Sequence, residues 1–145
     1  MKIFFLSNQN SCRSQMAEAI LRSYNKNIEI YSAGIKPTDH VSPIAIEVMA
    51  EIGISLKPQV PQHYSKFDDM EFDYLITVGD GTVEQLQVPP IKCKRKMHLG
   101  FHNPYQCSND KEEIKQKCRE IRDEIKTEMD YFYYRILKKQ IDKSA

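Results

Sequence analysis

The residues best suited to chemistry stand near the N-terminus, in the run Ser7-Asn8-Gln9-Asn10-Ser11-Cys12-Arg13-Ser14. The apolar run Ile3-Phe4-Phe5-Leu6 precedes it, and Met16, Ala17, Ile20, Leu21 and Tyr24 follow at the spacing of one helix face. That pattern predicts a strand, a tight polar loop and a helix with a guanidinium at its entrance. N–H groups at a helix start have no intrahelical partner and lie at the positive end of the dipole, so they attract anions. A short loop over such an end can aim further N–H groups inward as a nest. Arg13 adds a planar fork matched to two oxygens of a tetrahedral oxyanion. Ser7, Asn8, Gln9, Asn10, Ser11, Cys12 and Arg13 therefore read as a cradle for an oxyanion of phosphate or arsenate size.

The elements that must hold this cradle follow from periodicity and punctuation. The first strand is expected over about Lys2 to Leu6, the first helix over about Cys12 to Asn25, and a short strand over Ile28 to Tyr31. Strand, helix, strand at this length implies a right-handed parallel crossover. Ser42-Pro43 opens the next helix as N-cap and first-turn proline; Ala45, Val48, Met49 and Ile52 form its buried face and Gly53 suits its C-terminal cap. Lys57 to His63, with two prolines, is expected as loop. Phe72 to Val78 reads as a strand ending in the turn signal Gly79-Asp80-Gly81, and Arg95 to Leu99 as a fourth strand leading to a polar loop over Gly100 to Cys107. Asn109 and Glu112 resemble a capping box, after which Ile114, Cys118, Ile121, Ile125, Met129, Phe132 and Ile136 recur every three or four residues as a core stripe. Alternating strands and helices predict an α/β domain over residues 1–145 with an open parallel sheet. Ligands of such sheets bind beyond the carboxyl ends of the strands, where the loop after Leu6 lies.

Composition narrows the function classes. With 21 basic and 20 acidic residues in 145, the charge is nearly balanced and implies no general attraction to nucleic acid or membrane. There is no apolar run of membrane-spanning length and no signal-peptide pattern at the N-terminus, which predicts a cytoplasmic protein. The four cysteines, Cys12, Cys93, Cys107 and Cys118, lack both disulfide and metal-ligand spacing. Reduced thiols are expected, and neither a metal nor another cofactor.

The loop resembles that of the low-molecular-weight protein tyrosine phosphatases and thioredoxin-coupled arsenate reductases, in which Cys-x5-Arg-Ser forms the site. Asn10 to Glu18 and Tyr31-Ser32-Ala33-Gly34 match the arsenate-reductase-like branch closely, and the likeness runs over nearly the whole chain. It implies a four-stranded parallel sheet with helices on both faces. It also implies that Asn10, Ser14 and Ser32 support the loop, with Ser14 hydrogen-bonded to the nucleophile.

Against that resemblance the chain departs at every reactive position. Ser7 stands where the family carries its nucleophilic cysteine, whose thiolate such a loop stabilises; a serine hydroxyl is far less acidic. Asn103 stands where an aspartate before Pro104 protonates the leaving group, and an amide cannot do so. His102 is a candidate replacement donor, and Tyr105 a candidate to stack on an aryl substrate or simply to pack. Gly79 and Leu86 align with the two relay cysteines of the reductases, leaving a rewired relay through Cys12 and Cys107 as an alternative. Gln9 replaces a glycine, which strains the loop if positive φ is needed there. The implied function is an oxyanion-binding family member, for phosphate, sulfate, arsenate or a phosphorylated protein, with catalysis impaired at Ser7 and Asn103. The alternative is an active tyrosine phosphatase or arsenate reductase in which cysteine has been exchanged for serine.

Overall fold

In the computed structural model, residues 1–80 and 86–144 are described. Gly81 of the predicted turn and part of the Val78–Pro90 segment fall outside them. Four strands, β1 (Lys2–Ser7), β2 (Glu29–Gly34), β3 (Glu71–Gly79) and β4 (Lys92–Gly100), form a parallel sheet in the order β2-β1-β3-β4. The helices are α1 (Arg13–Tyr24), α2 (Pro43–Ala50), α3 (Lys111–Tyr131) and α4 (Lys138–Ser144), with a π-helical segment, Phe132–Leu137, joining the last two. One-turn 3₁₀ helices occupy Tyr64–Phe67 and Pro104–Gln106.

The strand order dictates which face each connection covers. The chain steps from β1 outward to β2, then back across β1 to β3 and on to β4. Right-handed crossovers in opposite directions lie on opposite faces of a sheet. The return from β2 nevertheless begins on the α1 side: α1, α2 and α3 share one face, burying Met16, Ile20, Ala45, Val48, Ile121 and Ile125 with Ile3, Phe5 and Ile76, and the later part of that connection, with Tyr64, Phe67 and Met70, passes to the other. The other face carries Phe4, Leu6, Phe72 and Leu75 under Tyr64, Phe67, Met70 and Ile91. Helical cover on both faces is thus met unequally: among the described residues, the second face receives the 3₁₀ turn at Tyr64–Phe67. Inner strand β1 is apolar and buried from Ile3 to Leu6, as a parallel centre requires. Edge strand β4 exposes Lys92, Lys94 and Lys96, whose charges discourage pairing with another chain.

The predicted elements recur with shifted ends. Each of the last three strands is longer than its apolar run suggests, because ladder pairing carries the strand beyond that run. Ser42 accepts a hydrogen bond from Ala45 N at 3.2 Å, and Gly53 has φ +78°, as expected of the caps flanking α2. The expected cap of α3 moves one residue: Asp110, not Asn109, accepts from Glu112 N at 3.0 Å. The apolar stripe also slips by one at its end. The π-helical turn inserts a residue, so Leu137 is fully buried and Ile136 only packs at the margin.

Candidate oxyanion-binding site

β1 has β2 on one side and β3 on the other, pairing Ser7 with Gly34 and Leu6 with Thr77. The loop leaving β1 therefore emerges at the switch point of the sheet, in the crevice beyond the strand ends. β4 ends level with β3, Gly100 opposite Gly79, and Phe101 N donates to Gly79 O at 2.7 Å. This brings the segment after β4 over the same crevice. The outcome is a cavity of about 310 Å³ lined by Ser7 to Ser14, Asp80, Asn103, Tyr105 and Gln106.

The direction of the loop's peptides can be read from its carbonyls. Ser7 O accepts from Ile35 N (3.1 Å), Asn8 O from Lys36 N (2.8 Å), Gln9 O from Thr38 N (3.2 Å) and Ser11 O from Ser42 N (2.8 Å). Asn10 O accepts from the Gln15 side-chain amide (2.9 Å) and Cys12 O from Met16 N (3.0 Å). Every carbonyl from Ser7 to Cys12 is thereby drawn away from the loop's centre. In a planar trans peptide the following N–H points the opposite way, so the N–H groups of residues 8 to 13 are turned inward. Asn10 N shows this directly, donating to Ser7 Oγ at 3.0 Å. Cys12 stands at the N-cap of α1 with no side-chain cap bond, so the loop's anion-attracting end is also the helix's.

Asn10 and Gly34 make this shape possible. Asn10 has φ +54°, a conformation asparagine tolerates better than most residues. Its Nδ2 donates to Ser14 Oγ (3.0 Å) and its Oδ1 accepts from Gln62 N (3.0 Å). A Cβ on Gly34 would meet Asn8 O at 2.8 Å and the Gln9 carbonyl carbon at 3.0 Å, so only glycine lets β2 end this close to the loop. The strain expected at Gln9 is absent: among the described non-glycine residues only Asn10 has positive φ. The left-handed turn falls one residue later than the glycine substitution suggested.

Ser7 is buried at the centre. Its Oγ lies 2.8 Å from Ser14 Oγ, where either hydroxyl can donate, and accepts from Asn10 N, so a backbone donor is aimed at it as it would be at an anionic atom. Arg13 lines the cavity, and its Nη1 donates to Phe101 O at 2.7 Å. Asn103 Oδ1 accepts from Tyr105 N at 3.0 Å and caps the 3₁₀ turn, leaving its Nδ2 as the end able to donate into the cavity. The Tyr105 hydroxyl is hydrogen-bonded to Ser42, tying that turn to the start of α2, and burial raises its pKa. Ser32 donates to Glu18, whose other carboxylate oxygen takes Arg22, so it supports the floor beneath α1.

Other candidates are not brought together. His102 is exposed and is not among the residues lining the cavity, and neither are His40, His63 and His98. Cys12 interacts with Cys118 of α3, not with Cys107, which is exposed and donates to Pro104 O at 3.0 Å. The hydrogen bond to Cys118, followed by burial, pushes the Cys12 thiol well above the ordinary thiol range, while the same bond lowers Cys118. Asp80 and Gln106 are the lining residues that sequence reasoning missed, and Asp80 is the more instructive. In Gly79-Asp80-Gly81 it looked like turn punctuation; the usable signal was its place immediately beyond β3, the strand beside the loop's own.

Comparison with known proteins agrees with the fold. The profile of the low molecular weight phosphotyrosine protein phosphatase family matches residues 2–144. The chain belongs to that family. Arsenate reductase of Shouchella clausii is 33% identical over 126 residues, covering 85% of this chain and 88% of that protein. Arsenate reductase of Halalkalibacterium halodurans is 34% identical over 124 residues with the same coverage. A solved arsenate reductase in its phosphate-binding state superposes with a TM-score of 0.76 at 25% identity, over 93% of this chain and 98% of the other.

Proposed function

We propose that this chain binds a phosphate-type oxyanion in the loop from Ser7 to Arg13 and, with serine at position 7, does not perform the thiol chemistry of its relatives. The outward bonding of all the carbonyls from Ser7 to Cys12 carries this reading, because it fixes inward N–H groups independently of the atom at position 7. That a related arsenate reductase has been solved in a phosphate-binding state supports it. Catalysis lacks its parts: Ser7 is a poor nucleophile, Asn103 cannot protonate a leaving group, and no histidine lines the cavity to serve as base. The absence of cysteine at Gly79 and Leu86, together with the distance in environment between Cys12 and Cys107, argues against a thiol relay. Cytoplasmic residence belongs to the same reading and is open to cell fractionation.

Calorimetric titration with inorganic phosphate tests the proposal. The chain is expected to bind, and Arg13→Ala to weaken binding by at least about tenfold, since hydrogen bonds to a charged partner contribute about 1.5–3 kcal/mol. Unchanged affinity in Arg13→Ala would place the ligand elsewhere. The second reading is an active phosphatase or reductase seen with serine exchanged for cysteine; a cysteine codon 7 in the source gene would establish it. Asn103, Gly79 and Leu86 favour the first reading, because an exchange at position 7 leaves them unexplained.

A further inference from the structure

We infer that a second cavity, between α1, β2 and the 58–62 segment, is a binding site for an organic anion with an apolar body and a single acidic head group. It encloses about 660 Å³, against about 310 Å³ for the oxyanion cavity. That is the size of pockets that hold small organic ligands. The two cavities have no lining residue in common, so this site stands whether or not the loop from Ser7 to Arg13 binds phosphate.

Its body is apolar and its wall is fixed. Ile30, Ile54, Val60 and Phe67 line it, and Val60 is 57% exposed, so a ligand seated there removes apolar surface from water. The outer wall is bonded at successive residues to the rest of the molecule. Gln59 Nε2 donates to Gln15 Oε1 at 2.6 Å, and Gln15 Nε2 donates to Val60 O at 3.3 Å. Gln62 N donates to Asn10 Oδ1 at 3.0 Å, and Gly34 N donates to Gln62 O at 2.7 Å. A wall held in this way is organised before a ligand arrives, which lowers the ordering cost of binding.

The charge of the lining selects the head group. Its charged side chains are Glu18, Arg22 and Lys26. Glu18 is taken by Arg22 and Ser32, and Arg22 also donates to Gln59 Oε1 and Ile30 O, each at 3.1 Å. That pair cancels within the lining. Lys26 is exposed and forms no ion pair with the described residues, so it leaves one uncompensated positive charge. Its flexible stem lets the ammonium follow a head group at the mouth, so no fixed aim is required. A cationic ligand of the same body meets a like charge and is refused.

Two fluorescent probes separate head from body: anilinonaphthalene sulfonate, and phenylnaphthylamine, which has the same rings without the sulfonate. The whole chain should bind the sulfonate saturably, one molecule per chain, and Arg13→Ala should leave that binding unchanged. Lys26→Glu should weaken the sulfonate by about fivefold and leave the neutral probe within about twofold, as expected of an ion pair near water. Val60→Ser should weaken both probes by about threefold, through lost apolar contact. Both substituted side chains are exposed, and circular dichroism checks that each variant keeps its fold. Lack of saturable sulfonate binding overturns the inference. Loss of sulfonate binding in Arg13→Ala overturns it as well, because the probe then sits in the oxyanion loop. Equal affinity of the folded Lys26→Glu and Val60→Ser variants with the unmodified chain removes the cavity as the place of binding.

Discussion

Gly34 shows how a residue without chemistry of its own decides the site. Its missing Cβ leaves the space into which Asn8 O and the Gln9 carbonyl are drawn, and the bonds they accept from Lys36 N and Thr38 N depend on that approach. Gly34→Ala is expected to destabilise the fold by about 1–3 kcal/mol, as overpacking does. It should also lower phosphate affinity, because turning the Asn8 peptide misdirects the N–H of Gln9. Chemical denaturation and calorimetry on the same sample check both effects; full affinity at reduced stability would mean the loop keeps its shape by moving β2. At this scale the cradle was legible, since Asn10, Arg13 and Ser14 belong to a distinctive local pattern. The left-handed turn at Asn10, in place of one at Gln9, was not, because φ is set by bonds to Ser14 and Gln62 that local sequence does not reveal. Asp80 was invisible for the same reason: its place in the lining comes from β1–β3 pairing.

Helices α2 and α3 are joined at one end by a carboxylate between two guanidinium groups. Glu51, at the C-terminal cap of α2, receives Arg119 Nε and Nη2 and Arg122 Nη1 at 2.8–3.1 Å, and Arg122 also donates to Val48 O at 2.9 Å. The hydrogen bonds from Arg119, with Arg122 adding to them, hold the Glu51 pKa at about 2 against an ordinary 4.5. The folded pKa is lower than the unfolded one, so this carboxylate favours folding fully above about pH 4.5 and loses its contribution as pH falls toward about 2. Being solvent-screened, the effect is modest. Urea denaturation of Glu51→Gln across that window should show a shallower loss of stability with acid than the unmodified chain; identical slopes would assign the acid sensitivity to other carboxylates. The helices themselves were legible from periodicity. Their fine register was not: Asn109 and Asp110 are both competent caps, and the π-helical turn that puts Leu137 in place of Ile136 has no signature in an apolar stripe.

Across the whole molecule, the site joins parts that are far apart in sequence: the loop after β1, the residue after β3 and the turn after β4, all delivered by strand order to one crevice. If those parts still form a family site, restoring its two missing groups should restore its chemistry in order. Ser7→Cys places a thiol where Asn10 N and the Ser14 hydroxyl already converge, an environment that favours thiolate. Hydrolysis of an activated aryl phosphate, whose leaving phenolate needs little protonation, is expected to appear. An alkyl phosphate should stay slow until Asn103→Asp is added, because a positioned general acid contributes typically about 10²–10⁴-fold. The gain should be far smaller for the activated ester. The comparison belongs in kcat, measured at saturating substrate. A folded Ser7→Cys protein that binds phosphate yet cleaves neither ester would show that the loop no longer aligns a nucleophile with a bound phosphorus. Equal cleavage of both without the aspartate would mean that another group donates the proton.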